Sequence, residues 1–316
     1  MKDNFWKNKK VLVTGGDGFL GKTVVNKLIQ RGIKRENIYI PHFPHDDLRD
    51  FNTCLRFTKD IDIVIHLAAK VGGIWYNMKY PGSMVYDNIM MGFQLMEAAR
   101  INGVEKLVNL GSTCAYPKNA PMPFTEENFW DGYPAEATAP YGLAKKMLSE
   151  LGKGYLEEYK FNSVFLVPVN LYGPGDNFTE EDAHVIPALI QKFFDAKEQN
   201  KPSVEVWGSG KATREFLYVE DAAEAILLGA EFLDDPSPIN LGTGVETPIK
   251  ELVELIARLT NFNGKIVWDT TKPDGTPRRF MNIEKAKKKF GFKAQVQLEK
   301  GLETTINWYL ENIRTV

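Results

Sequence analysis

Three observations predict an α/β fold with a doubly wound parallel sheet and a smaller α/β lobe after it. Short β-branched runs alternate with longer helical patterns, a glycine-rich turn follows the first run, and the alternation loosens after about residue 170. The first strand is read at Lys10–Thr14 (KVLVT). Leu20, Val24 and Leu28 then recur with Val25 and Ile29 at helical spacing, and Gly32 closes the helix. Ile38–Ile40 and Ile61–Ile65 are read as strands, 84–101 as a long helix and Lys106–Leu110 as the next strand. Residues 113–140, rich in Pro, Ala and acids, read as a loop. Residues 141–159 form a helix and 163–169 a strand.

Beyond Asn170, short strands at 204–207, 238–241 and 265–268 are scattered among helices. The last helix carries Leu298, Leu302, Ile306, Leu310 and Ile313 on one stripe. The expected division is a dinucleotide-binding domain over 1–169 and a lobe over 170–316. The helix at 219–232, within a segment of about 212–243, is able to return to the first domain.

The 316 residues are 43% hydrophobic and 25% charged, an ordinary globular balance. A formal charge of −2 gives no field for nucleic acid, so an anionic ligand must be met by local cations or helix N-termini. The two cysteines, Cys54 and Cys114, are too few for a disulfide framework, which points to a reducing, cytoplasmic setting. No apolar run approaches the ~18 residues of a membrane helix. Met1–Lys10 has no apolar leader core, and no metal site is expected.

Gly15, Gly18 and Gly21 lie between the first strand and the first helix, where glycines let main chain approach a pyrophosphate at a helix N-terminus. The second strand continues Ile40-Pro41-His42-Phe43 without the Asp or Glu that binds a ribose 2′-hydroxyl, which leans toward NADP over NAD. Asp17 stands against a 2′-phosphate, and His42, His45 and Arg49 are candidate contacts for one. Tyr141 and Lys145 share a helix face, and a cation one turn from a phenol favours the phenolate. Ser112, after the strand LVNL and Gly111, sits at the sheet's C-terminal edge, where open α/β folds bind ligands. Ser112 is expected to bond a substrate carbonyl and Tyr141 to donate the proton.

TGGxGFxG, DLRD, HLAA, the strand-end serine, YxxxK and LYGP, in this order, resemble the extended short-chain dehydrogenases. Within that superfamily the chain resembles the GDP-L-fucose synthase family over nearly its whole length. The segments that carry this are HLAAKVGGI (66–74), LGSTCAYPK (110–118), APYGLAK (139–145), NLYGPGDNF (170–178), HVIPALI (184–190), VWGSGKATREFLYVED (206–221) and DTTKPDGTPRR (269–279). The resemblance implies 3,5-epimerisation and then NADPH-dependent 4-reduction of a GDP-linked 4-keto-6-deoxy sugar. It implies cofactor contacts at Phe19, Leu20, Asp47, Leu48, Leu67, Ala68, Ala69 and Asn88, beside the glycines, Tyr141 and Lys145.

A C4 ketone acidifies C3 and C5, so epimerisation needs a base on one face and an acid on the other. The resemblance makes Cys114 and His184 that pair. In an extended run Cys114 points to the same side as Ser112. Arg214 and Arg279 suit a diphosphate, with Asn170 and Trp207 as further substrate contacts. Arg279 stands where the family leads one to expect lysine. The resemblance also implies a homodimer through the helices near 84–102 and 141–159. Two other readings stay open: an epimerase or C4-reductase of another nucleotide-linked 4-keto sugar, a dideoxyhexose or heptose, tuned at Trp75, Tyr76 and Trp130; and a non-catalytic dinucleotide binder.

Overall fold

The computed structural model describes residues 5–179, 183–272 and 274–314. Residues 1–4 of the amino terminus and Pro273 of the 269–279 segment lie outside the described residues. The first half alternates as β1 (Val11–Thr14), α1 (Phe19–Gln30), β2 (Ile38–Tyr39), α2 (Phe51–Thr58), β3 (Ile63–His66), α3 (Ile74–Lys79), α4 (Pro81–Ile101), β4 (Lys106–Leu110), α5 (Ala139–Tyr159) and β5 (Ser163–Pro168). The second half runs β6 (Asn170–Tyr172), α6 (Val185–Glu198), β7 (Ser203–Trp207), β8 (Thr213–Arg214), β9 (Phe216–Tyr218), α7 (Val219–Phe232), β10 (Pro238–Leu241), β11 (Thr247–Pro248), α8 (Ile249–Leu259), β12 (Lys265–Asp269), β13 (Arg278–Arg279), α9 (Glu284–Phe290) and α10 (Leu298–Asn312).

The main sheet has the order β10-β5-β4-β3-β1-β2, and each adjoining pair is parallel. β1 and β3 are buried at every residue, as strands covered by helices on both faces must be. The order turns back at β1, which has β2 on one side and β3 on the other. That reversal opens a crevice above the carboxyl ends of β1 and β3.

The return of the chain to the first sheet is broad. β10 pairs with β5, and α7 packs against α1. Ion pairs reinforce the second contact: Arg31 holds Glu224 and Glu231, and Lys27 holds Glu220. Met281, Phe290 and Phe292 also join this core. A separate core gathers Tyr172, Ile190, Phe193, Val206, Ile256, Leu302 and Ile306 from β6, α6, β7, α8 and α10. On the last helix the buried face is Leu302, Ile306 and Tyr309, whereas Ile313 is exposed.

One buried carboxylate ties the lobes. Glu215, between β8 and β9, accepts the main-chain N–H of Thr243, Gly244 and Met281. Burial pushes this carboxyl up, and the amides pull it back toward the charged form.

Candidate active site

The crevice floor is main chain. Gly15 adopts φ +69°, and a Cβ there would lie 2.9 Å from the Ala68 nitrogen. A Cβ on Gly21 would lie 2.0 Å from the Gly15 carbonyl oxygen, so the turn closes only with glycine. Gly18 caps α1, whose first turn holds Phe19 and Leu20 and no acidic side chain. Among the described residues no side chain caps this turn, the setting a pyrophosphate fits. On the far wall, Thr14 Oγ1 bonds both His66 Nδ1 (2.8 Å) and the Ala68 N–H (3.2 Å), fixing Leu67–Ala69. Asn88 is buried and bonds Lys70 main chain through both amide ends. It therefore shapes the crevice through that loop.

The rim carries charge that the chain itself satisfies. Arg49 forks onto Asp47 and reaches Asp87 at 2.8 Å, and Lys70 reaches Asp87 at 2.7 Å. Burial works to raise the Asp87 carboxyl, but Lys70 and Arg49 hold it below its ordinary value. The expectation that Arg49 is free for a phosphate is corrected here, because two carboxylates occupy its guanidinium. Leu48 is buried beside it. Asp17, expected to repel phosphate, is paired at 2.6 Å with His42 Nδ1.

Ser112 is extended at the end of β4, but Thr113–Ala115 form a 3-10 turn. Cys114 therefore does not continue an extended run with Ser112, as expected. Instead its N–H donates to Ser112 Oγ at 3.1 Å, leaving the hydroxyl proton free for a ligand. α5 presses on this turn so closely that a Cβ on Gly142 would lie 2.1 Å from the Cys114 carbonyl oxygen. α5 begins at Ala139, ahead of Tyr141, with proline in its first turn.

Lys145 Nζ lies 5.9 Å from the Tyr141 ring centre and is buried. Burial pushes this ammonium down to about 8. The expected lowering of the phenol by Lys145 is not what the geometry produces. Burial pushes Tyr141 up, and the Cys114 sulfur adds to it, so the phenol keeps its proton. A protonated phenol is the form that can donate to an alkoxide. Burial, then the Lys145 charge, pushes His66 down to about 3, which makes it a neutral strut.

His184 caps α6 with its side chain 52% exposed, and its Nδ1 lies 3.8 Å from Asp176 Oδ1. Asp176 is buried, and its other oxygen has no hydrogen-bond partner among the described residues. This carboxylate holds the imidazole above its ordinary range, against burial. Among the described residues no hydrogen bond or ion pair joins His184 to Cys114 or Tyr141.

On the second lobe Asn170 bonds the Glu215 carbonyl, and Trp207 is 66% exposed with Lys272 over its ring. Arg214 Nη1 donates to the Thr213 and Thr276 carbonyls at 2.7 Å, and burial, with Arg279 adjacent, pushes it down to about 10. Arg279, in register with Arg214 on β13, directs Nη1 at Cys114 Sγ, 3.9 Å away. The reading from sequence passed over four groups: His66, Asp87, Asp176 and Glu215. HLAA and NLYGPGDNF contain two of them, but nothing in a linear segment shows what a buried carboxylate faces.

A glycine cradle at the sheet's reversal, with serine, tyrosine and lysine at its C-terminal edge, defines a nicotinamide-dependent oxidoreductase of the extended short-chain class. The chain belongs to the NAD-dependent epimerase/dehydratase family, whose profile matches residues 11–242. It is 39% identical over 310 residues to a putative GDP-L-fucose synthase 2 of Arabidopsis thaliana, covering 97% of this chain and 93% of that one. Among solved structures, a GDP-L-fucose synthetase of Naegleria fowleri bound to NADP superimposes with a TM-score of 0.86 at 34% identity, covering 98% and 95%. A GDP-6-OMe-4-keto-L-xylo-heptose reductase of C. jejuni gives a TM-score of 0.89 at 28% identity, covering 96% and 98%.

Proposed function

We propose that this chain uses NADPH to convert GDP-4-keto-6-deoxy-D-mannose to GDP-L-fucose by 3,5-epimerisation and 4-reduction. One observation carries the reading: the turn that bears Cys114 begins at Ser112 and packs on the first turn of the Tyr141 helix. The candidate thiol base and the candidate carbonyl-reducing pair thus sit on one turn and the helix start packed against it. The relatives named for GDP-L-fucose synthesis supply the sugar. NADPH is favoured because β2 ends without an acidic side chain and the Naegleria protein carries NADP.

Gly15, Gly18, Phe19, Leu20 and Gly21 hold the pyrophosphate; Asp47 and Leu48 hold the adenine side; Leu67, Ala68 and Ala69, braced by Asn88, form the far wall. When bound, the nicotinamide supplies the hydride for C4. Cys114 removes the proton at C3 or C5, and His184, whose imidazole Asp176 raises above its ordinary value, returns one to the opposite face. Tyr141 gives its proton to the C4 oxygen, Ser112 donates a hydrogen bond to the same oxygen, and Lys145 holds the cofactor ribose beneath it. Arg214, Trp207 and Asn170 bind the GDP portion.

In heavy water, with GDP-4-keto-6-deoxy-D-mannose and NADPH or NADH offered separately, NMR is expected to show deuterium at C3 and C5 and consumption of NADPH. Reduction without deuterium favours the second reading, a plain C4-reductase of a GDP-linked 4-keto sugar, to which the heptose reductase likeness points.

The assembly in this reading is a homodimer through α4 and α5, whose outer faces leave Tyr86, Met147 and Tyr159 exposed. A monomer mass in solution at micromolar concentration rejects it. No described helix is long and apolar enough to cross a membrane. The cytoplasm is the compartment that two free thiols suit.

A further inference from the structure

We propose that Arg279 is a positioning residue for the epimerisation base: its guanidinium stands against the Cys114 sulfur and aims it at the sugar, and does not clamp the diphosphate. The inference rests on Cys114 being the base, as argued above. Arg279 Nη1 is 3.9 Å from the sulfur. Arg279 Nε is buried without a hydrogen-bond partner, and among the described residues no carboxylate pairs with this arginine.

Its neighbour in register, Arg214, spends Nη1 on two carbonyls. Two adjacent cations with no acid between them call for an anion. The acidic group that Arg279 contacts is the thiol.

The other elements around Cys114 offer less. α5 contributes Tyr141, whose phenol stays neutral, and Lys145, which is buried and stands beside Tyr141 and His66. Arginine, by contrast, stays charged at any working pH. A nearby cation favours a thiolate, and the thiolate is the reactive form.

In the step itself a C–H bond at C3 or C5 breaks and an S–H bond forms. The electron pair passes to the C4 oxygen as an enolate, and nothing is oxidised. As the proton reaches sulfur, the negative charge moves from there to the sugar. A lysine at this position is a point charge with free rotation, whereas the arginine fork has fixed direction.

The test reads Cys114 without substrate. Iodoacetamide at pH 7, followed by peptide mass analysis, is expected to label Cys114 about tenfold more slowly in Arg279→Gln than in wild type, the effect of losing one adjacent cation. Deuterium exchange into the sugar falls by a similar factor. Arg279→Lys restores both to within about threefold, and GDP binding changes less than about threefold. Cys54 is buried, and burial raises its thiol, so labelling there marks an unfolded sample.

Should Arg279→Gln not fold, wild-type Cys114 must still react about tenfold faster than free cysteine at pH 7. Alkylation at an unchanged rate with GDP binding weakened about tenfold overturns the proposal and returns Arg279 to the diphosphate. Fast labelling of Cys114 without any sugar exchange leaves the Arg279–Cys114 pair standing and removes the sugar assignment instead.

Discussion

The crevice proposed for the cofactor and the pocket proposed for the sugar are built by opposite means. The first is contiguous main chain: a strand, a turn and a helix start within Val11–Gln30, shaped by where side chains are missing. The second is assembled from side chains that arrive from β4, α5, the loop before α6, β8 and β13. Shape governs the first, so adding a single atom spoils it. Charge and proton placement govern the second, so its substitutions change rates and pH profiles more than they change the fold.

The sharpest test of this contrast is Tyr141→Phe. It is expected to lower the reduction rate about 10³-fold, the scale of a lost general acid, while deuterium exchange at C3 and C5 persists. Loss of both activities together would mean that the two chemistries are not separable within the pocket.

Gly21→Ala comes next. Overpacking against the Gly15 carbonyl is expected to cost about 2 kcal/mol, read as a lower melting temperature and a weakened NADPH titration. An alanine protein with unchanged cofactor affinity breaks the view of the crevice as a main-chain mould.

Asp176→Asn acts on protons alone. Asp176 raises His184, so the imidazolium persists to higher pH in the wild type. The variant is expected to exchange deuterium normally near pH 6 and several-fold more slowly near pH 7.5, because the alkaline limb moves down in pH. A parallel loss at every pH would demote Asp176 to a packing role.

Trp207→Ala should do least. A change of about fivefold in KM for the GDP-sugar, with kcat and NADPH binding intact, is the scale of one lost aromatic contact at an open surface.

Legibility follows the same division. The glycine turn, the serine and the Tyr141–Lys145 pair lie in short segments whose spacing carries their local geometry: the turn closes only with glycine, and Tyr141 and Lys145 share one face of α5. α2 escapes the reading although Phe51, Cys54, Leu55 and Thr58 recur at helical spacing, because its eight residues make only about two turns of that period. It is started by Asp50, whose carboxylate accepts the N–H of Asn52 and Thr53. The placement of Arg279 was beyond spacing. It meets Cys114 across a separation of 165 residues, and both phosphate and sulfur suit an arginine equally well on paper. The same holds for β10, whose four residues look like any isolated strand until they pair with β5.

The knot at Glu215 has a temporal side. Its carboxylate waits for amides at Thr243, Gly244 and Met281, so it is satisfied only when the chain has been made past residue 281. A ribosome that stalls near residue 200 has already released the whole cofactor cradle, from Gly15 to Lys145, but neither of the arginines at 214 and 279. Such a half-made chain still lacks α7 and β10, which complete the first sheet, as well as both arginines. The reactive thiol acquires its cation close to the end of synthesis.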